Sequence, residues 1–247
     1  MHDAHCHIDL YRDYRDQLSK IAGRRISTIA VTNAPSVFAA CERLATNNPY
    51  VHVAIGLHPE LAIARGKELQ TLLELLPQAQ IVGEVGLDFV TRDPTVRAEQ
   101  TRILKTVLQR CAEGGGKLLS VHSRNAAHEV IDLVGEYSPN TVILHWYSGP
   151  VTHVDRALTL GCYFSVNPAM TKSARGREII GTIPRDRVLI ETDGPFVQIE
   201  GRAAEPSDGW HVVQYLAQLW DASTEEVERT TDDTFERLVG GGRREVS

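Results

Sequence analysis

KLLSVHSRNAAHEVIDLVGEYSPNTVILHWYSG, residues 117–149, holds a complete structural unit. An apolar run of strand length at 117–122 ends on His122, and a stretch at 124–137 has helical spacing. A second apolar run follows at 141–146 and carries His145 close to its end. Two apolar strands joined through a helix read as a parallel βαβ crossover.

The same alternation runs the length of the chain. Strand-like runs recur at 2–8, 26–33, 51–57, 80–85, 162–167 and 187–192, eight in all with the two above. Helical patterns occupy 35–47, 66–76, 95–113, 151–160 and 173–181, and two more lie at 207–220 and 223–239. Pro94 ahead of the third of these, and Ser223 with Glu226 three residues on, are helix-start signals. The connection at 9–24 has the weakest pattern. Eight strands with interleaved helices in 247 residues predict an α/β fold, a (β/α)8 TIM-type barrel, whose working residues collect at the C-terminal ends of the strands.

Composition agrees with one large core: 42% of residues are hydrophobic and 23% charged, with no linker-like stretch. Residues 1–239 are therefore expected to form a single catalytic barrel domain, with 240–247 a frayed tail. No run approaches the roughly 18 apolar residues of a membrane span, and no basic-then-apolar leader opens the chain, which predicts a cytoplasmic location. Cys6, Cys41, Cys111 and Cys162 lack CxxC spacing and are expected to be reduced and mostly buried. A net charge of −6 argues against a nonspecific grip on long duplex nucleic acid and confines any nucleic-acid chemistry to a local site.

The barrel rule selects the candidate residues. His5 and His7 in "DAHCHIDL" (3–10) end the first strand, two apart and so on one face, while Cys6 points outward. His58 follows the third strand, Glu84 ends the fourth, His122 the fifth, His145 the sixth, and Asp193 follows the eighth. Each has a plain reading when taken alone. Glu84 in "GEVGLD" (83–88) is a carboxylate in an apolar strand and needs a positive partner, either a metal or an arginine. His122 and His145 read equally as satisfied core histidines, and Asp193 in "IETDGPF" as a turn aspartate. Asp88 reads as a loop cap or a support for a ligand.

Taken together, His5, His7, Glu84, His122, His145 and Asp193 are too many ligands for one open tetrahedral site. They suit two divalent cations about 3.5–4 Å apart bridged by a carboxylate. That arrangement clamps both the attacking and the leaving oxygen, which points to hydrolysis, most naturally at phosphorus.

At these residues the chain resembles the TatD family of metal-dependent deoxyribonucleases, barrels of the amidohydrolase kind. The motifs are "DAHCHIDL" (3–10), "AIGLHP" (54–59), "VGEVGLDF" (82–89), "VHSRNA" (121–126), "HWYSG" (145–149) and "IPRDRVLIETDGPF" (183–196). The resemblance implies a barrel of the metal-dependent hydrolase kind. It implies that His5, His7, Glu84 and Asp193 hold one Mg²⁺, Mn²⁺ or Zn²⁺, that Glu84, His122 and His145 hold a second, and that Glu84 bridges. Glu84, Asp193 and His58 would be the catalytic group: Asp193 orients the water or accepts its proton, and His58 lies by the phosphate or assists proton transfer. The implied substrate is DNA, often the 3′ end of a single strand. Ser123 and Arg124 are placed to meet phosphate oxygens, with a helix-start surface role as the other reading of Arg124. Phe89, Trp146, Tyr147 and Phe196 would stack bases or pack, and Lys172, Arg175 and Arg177 would form a basic lip or a solvated helix face.

The sequence also departs from the family. The stretch after the last aspartate reads "AAEPSDG" (203–209) where an Arg-Asn-Glu-Pro-like pattern is common, Asp233 stands for a usual asparagine, and "HWYSG" replaces "HCFSG". These departures leave the expected metal centre whole and alter the loops that choose a substrate; such a divergent member resembles the TatD-like proteins of bacterial antiphage gene clusters. Two other readings follow. One is hydrolysis of a different substrate, such as an amide, lactone, ester or D-aminoacyl-tRNA. The other is a metal-stabilised subunit that works with other proteins in a larger assembly.

Overall fold

A computed structural model of the chain describes residues 1–240. Its strands are β1 His2–Cys6, β2 Ser27–Val31, β3 Val51–Ile55, β4 Ile81–Gly86, β5 Leu118–His122, β6 Thr141–His145, β7 Tyr163–Val166 and β8 Val188–Ile190. They lie side by side in sequence order and every neighbouring pair from β1 to β8 is parallel. All eight strand-like runs of the sequence are strands, because alternate residues face two different apolar layers. In β5, Leu118 packs inside with Ile29, Ile81, Ile143 and Leu189, while Leu119 and Val121 pack outward against the helix layer.

The outer layer contains α1 Tyr14–Arg24, α2 Pro35–Ala45, α3 Ala62–Arg65, α4 Leu69–Leu75, α5 Pro94–Glu113, α6 Ala127–Glu136, α7 Val154–Thr159, α8 Pro168–Lys172, α9 Ala174–Ile180, α10 Trp210–Trp220 and α11 Thr224–Gly240. The weakly patterned 9–24 connection is a 3-10 turn, Ile8–Leu10, followed by α1, whose start is capped by the Asp13 side chain on Asp16 N. Two short helices, α3 and α8, lie outside the helical patterns of the sequence. In α3, four residues are too few to show a period; α8 depends on the Asn167 side chain, which accepts from Ala169 N and Met170 N. A two-residue hairpin, β9 Gln198–Ile199 with β10 Arg202–Ala203, also lay below the reach of patterning. Cys6, Cys111 and Cys162 are buried free thiols and Cys41 is half-buried. Among the described residues no helix is long and apolar enough to cross a membrane. The expected tail falls outside the described residues except for Gly240, the last residue of α11.

The barrel closes between β8 and β1 by an irregular seam. The backbone supplies Asp193 N to His5 O at 2.9 Å and His7 N to Gly194 O at 2.8 Å. Below them side chains replace the ladder: Ile190 N donates to His2 Nε2 at 3.0 Å, and Thr192 N to Asp3 Oδ1 at 3.0 Å. Since His2 Nε2 accepts, the proton sits on Nδ1 and is donated to Asp232 of α11 at 2.6 Å. The His2 ring also stacks on Phe235, which joins the inner apolar cluster from α11, with centroids 4.6 Å apart.

Burial pushes the His2 imidazole below its ordinary 6.5, against the opposite pull of Asp232. Folded His2 thus stays neutral where the unfolded chain binds a proton, so its contribution is present above 6.5 and is lost as pH falls below it. His2→Ala leaves the Ile190 N–H unpaired and is expected to cost about 1–3 kcal/mol near pH 8. The gap between variant and wild type should narrow near pH 5, and denaturant unfolding at the two pH values measures it.

Candidate metal centre

Glu84 sits where the β4–β5 register shifts, between Val82 and Val85, which turns its side chain into the barrel mouth. Its backbone is hemmed in by Gly56, where a Cβ would lie 2.0 Å from Thr32 O and 2.3 Å from Glu84 N. Gly86, at φ +148°, allows equally close passage, since a Cβ there would lie 2.1 Å from His122 O. Gly86, two residues after Glu84, and Gly56, facing it from the end of β3, are thus both needed for the backbone to pass here.

The two oxygens of Glu84 divide the histidines into two groups. Oε1 meets His122 Nδ1 at 2.7 Å, His145 Nε2 at 2.8 Å and His58 Nε2 at 3.3 Å. Oε2 faces His7 Nε2 at 3.3 Å and His5 Nε2 at 3.5 Å. Asp193 joins the second group, with Oδ1 3.5 Å from His7 Nε2 and 3.7 Å from His5 Nε2. Asp193 Oδ1 is buried and has no hydrogen-bond partner, so this oxygen caps no turn.

The far sides of the rings are held from behind. His5 Nδ1 bonds Ser120 Oγ at 2.7 Å, and His122 Nε2 bonds Asp88 Oδ2 at 3.0 Å. Asp88 also caps its own loop through Val90 N, so it fills both roles the sequence allowed. His58 Nδ1 accepts from Glu60 N at 3.2 Å, which places a neutral ring's proton on Nε2, toward Glu84.

Burial opposes ionisation of Glu84, but His58, His145 and His122 override it and hold the carboxyl well below the usual range. Burial likewise opposes charge on His7, yet Asp193 and Glu84 raise it to about 9. His145 is also raised against burial, chiefly by Glu84 and Glu191, whereas burial and the neighbouring His145 keep His5 low. Protons here perform the neutralisation that a divalent cation would perform on the same donors. Two sets of three donor residues cluster within 4.8 Å on either side of Glu84: His5, His7 and Glu84, and His58, Glu84 and His122. His145 belongs with the latter, since its Nε2 is 3.3 Å from His122 Nδ1. Nitrogen and carboxylate donors and an orphaned buried oxygen fit one or more divalent cations.

A cavity of about 530 Å³ opens over this centre. Ser123, Arg124, Trp146 and Phe196 line it, and the Phe196 ring lies edge-on to His7 at 4.9 Å. Tyr147 does not reach it. Its ring is 1% exposed and packs on Phe164, and its hydroxyl donates to Pro150 O, so this residue of the expected substrate contacts is core. Phe89 is half-buried beneath the Arg97 guanidinium and is likewise packing.

Residues that single-strand reasoning passed over complete the site. Glu191, fully buried, accepts from Trp146 N, Asn167 Nδ2 and the Ser165 hydroxyl, and lies 3.8 Å from His145 Nδ1. It forms a third three-residue donor group with His5 and His145, but its oxygens are already committed to those donors. Asp3 accepts from His5 N and from the Thr192 amide and hydroxyl. The signal for both was available: Asp3, Ser120 and Glu191 each stand two residues before His5, His122 and Asp193 in the chain.

An eight-stranded parallel barrel with imidazoles and carboxylates gathered on a buried glutamate at its C-terminal rim defines the class of metal-dependent hydrolases. The pattern of the TatD-related DNases matches residues 2–240, and the chain belongs to that family. It is 30% identical over 265 residues to an uncharacterized metal-dependent hydrolase TatD of Mycobacterium tuberculosis, covering 98% of each chain. It is 28% identical over 258 residues to human deoxyribonuclease TATDN3, covering 96% of this chain and 93% of the relative. The crystal structure of the TatD homologue YJJV from Escherichia coli K12 has the same fold, with a TM-score of 0.86 over 96% of this chain and 97% of its own at 24% identity.

Gly56→Ala is expected to push the Glu84 backbone out of place. Stability should fall by roughly 1–3 kcal/mol, and metal-dependent activity more than stability alone explains; thermal unfolding beside a divalent-metal titration separates the two.

Proposed function

We propose that this chain is a phosphodiesterase acting on DNA, a 3′ to 5′ exonuclease on single strands, with residues 1–239 as one catalytic unit working in the cytoplasm. In this reading His5, His7, Glu84 and Asp193 hold one divalent cation, Glu84, His122 and His145 hold a second, and Mg²⁺, Mn²⁺ or Zn²⁺ fits the donors. The observation that carries it is the split of the Glu84 oxygens between two sets of imidazoles, 2.7–2.8 Å on one side and 3.3–3.5 Å on the other. Bound cations supply Lewis acidity and a water whose pKa is drawn toward neutrality.

The protein's own groups have distinct tasks. Asp193 Oδ1, buried and without a hydrogen-bond partner, is free to accept the proton of the attacking water. His58, with its proton on Nε2, offers a donor to the phosphate or the leaving oxygen. Ser123 and Arg124 line the cavity just after His122, where non-bridging phosphate oxygens would lie, and Trp146 and Phe196 offer faces to a base. Trp146 has a left-handed backbone conformation, φ 38°, and its backbone N–H donates to Glu191 Oε1 at 3.0 Å.

The test is degradation of 5′- and 3′-labelled single-stranded and duplex DNA with each metal, by wild type and by Glu84→Ala. Wild type is expected to cleave only with added metal and to shorten the 5′-labelled single strand progressively; the variant should lose more than about 100-fold. Metal-independent cleavage, or full activity in Glu84→Ala, would refute the reading.

A further inference from the structure

We infer that the substrate gripped by this site is short: one phosphodiester and the base beside it, at a chain end or in a dinucleotide, with no groove among the described residues that follows a longer strand. This rests on the phosphodiesterase reading and narrows it. A protein that holds a single strand over several nucleotides needs a cation for successive phosphates and a series of aromatic faces. The loops between each strand and the next helix supply Arg12, Arg92, Arg124 and Arg202, no lysine, and more than twice as many carboxylates.

Of these arginines only Arg124 lines the cavity. Arg202 is paired in bidentate fashion with Asp208 at 2.6 and 2.8 Å. Arg12 and Arg92 lie outside the cavity, each followed in the chain by an aspartate, Asp13 and Asp93. Arg124 is exposed, and among the described residues its guanidinium makes no hydrogen bond. The expected basic lip does not extend the site. Arg175 donates to Glu178 and to Gly149 O, Arg177 donates to Lys172 O, and none of the three lines the cavity. Glu60, exposed at the mouth, adds a negative charge where a neighbouring phosphate would pass.

The apolar share of the cavity is equally local. Leu61, Trp146 and Phe196 line it, Phe196 is 56% exposed, and the volume of about 530 Å³ is that of a small-molecule site. One guanidinium and one aromatic wall match one phosphate and one base.

A dinucleotide, a tetranucleotide and a strand of about 20 nucleotides of one DNA sequence are compared as substrates of the metal-loaded protein at about 50 and 200 mM salt. Per chain end, kcat/KM should vary less than about threefold with length, and its logarithm should fall with log salt at a slope of about −0.7, the value for one phosphate contact. Arg124→Ala should lower kcat/KM about tenfold at every length and flatten that slope. A rise of about tenfold or more with length, a slope steeper than about −2, or a loss in Arg124→Ala confined to the longer strands overturns the inference. Displacement of a fluorescent dinucleotide by non-hydrolysable phosphorothioate strands of the same lengths reads binding without turnover. If nothing is cleaved but binding is independent of length, the phosphodiesterase reading falls and the short-substrate inference stands; binding that tightens about tenfold with length sinks the inference whatever is cleaved, and no binding at any length sinks both.

Discussion

The carboxylate of Glu84, buried at the mouth of the barrel, makes the strongest demand on the rest of the structure. An ionised carboxylate removed from water is costly unless positive charge or donors surround it. Here the compensating groups come from the end of β1, the loop after β3, and the ends of β5 and β6. No local segment could supply them, so the carboxylate is tolerable only when the barrel is closed. Fold and site are for this reason a single cooperative requirement.

Closure itself is carried by polar groups as well as by packing. The seam between β8 and β1 uses His2 and Asp3 side chains where other strand pairs use backbone ladders, and both are buried. Burial pushes the Asp3 carboxyl up to about 8 despite its bonds from Thr192 and His5. Glu191 plays a similar part among β6, β7 and β8, tying Trp146, Ser165 and Asn167 together behind His145. Phe235 of α11 completes the inner apolar cluster, and the His2 ring of the seam stacks on it.

The stretch at 203–209 is not loose. Glu205 and Asp208 form a capping box, Lys20 and Gln17 of α1 reach Glu205 at 2.7 and 3.2 Å, and Tyr11 donates to Ala204 O. The hairpin just before it packs Val197 and Ile199 against Trp146. This stretch thus braces one wall of the mouth through Trp146 and bears on the shape of the cavity rather than on the donors at its floor.

The sequence by itself determined the barrel. Eight apolar runs with helical intervals, the two-residue periodicity of "HCH", and histidines at strand ends are local signals, and local periodicity is what a chain writes most plainly. It also placed His5, His7, His58, Glu84, His122, His145 and Asp193 on one rim; in the structure His58, Glu84, His122, His145 and Asp193 line one cavity, with His5 and His7 buried against Glu84 and Asp193. What only the tertiary structure decided is who stands behind whom: that Tyr147 packs inward while Phe196 faces out, that α8 hangs on Asn167, and that Asp3 and Glu191 hold the seam and His145 from below. These are relations between residues as much as 189 positions apart, as for Thr192 and Asp3. Pattern along a chain carries no record of such pairs, because they are set by the register and closure of the barrel.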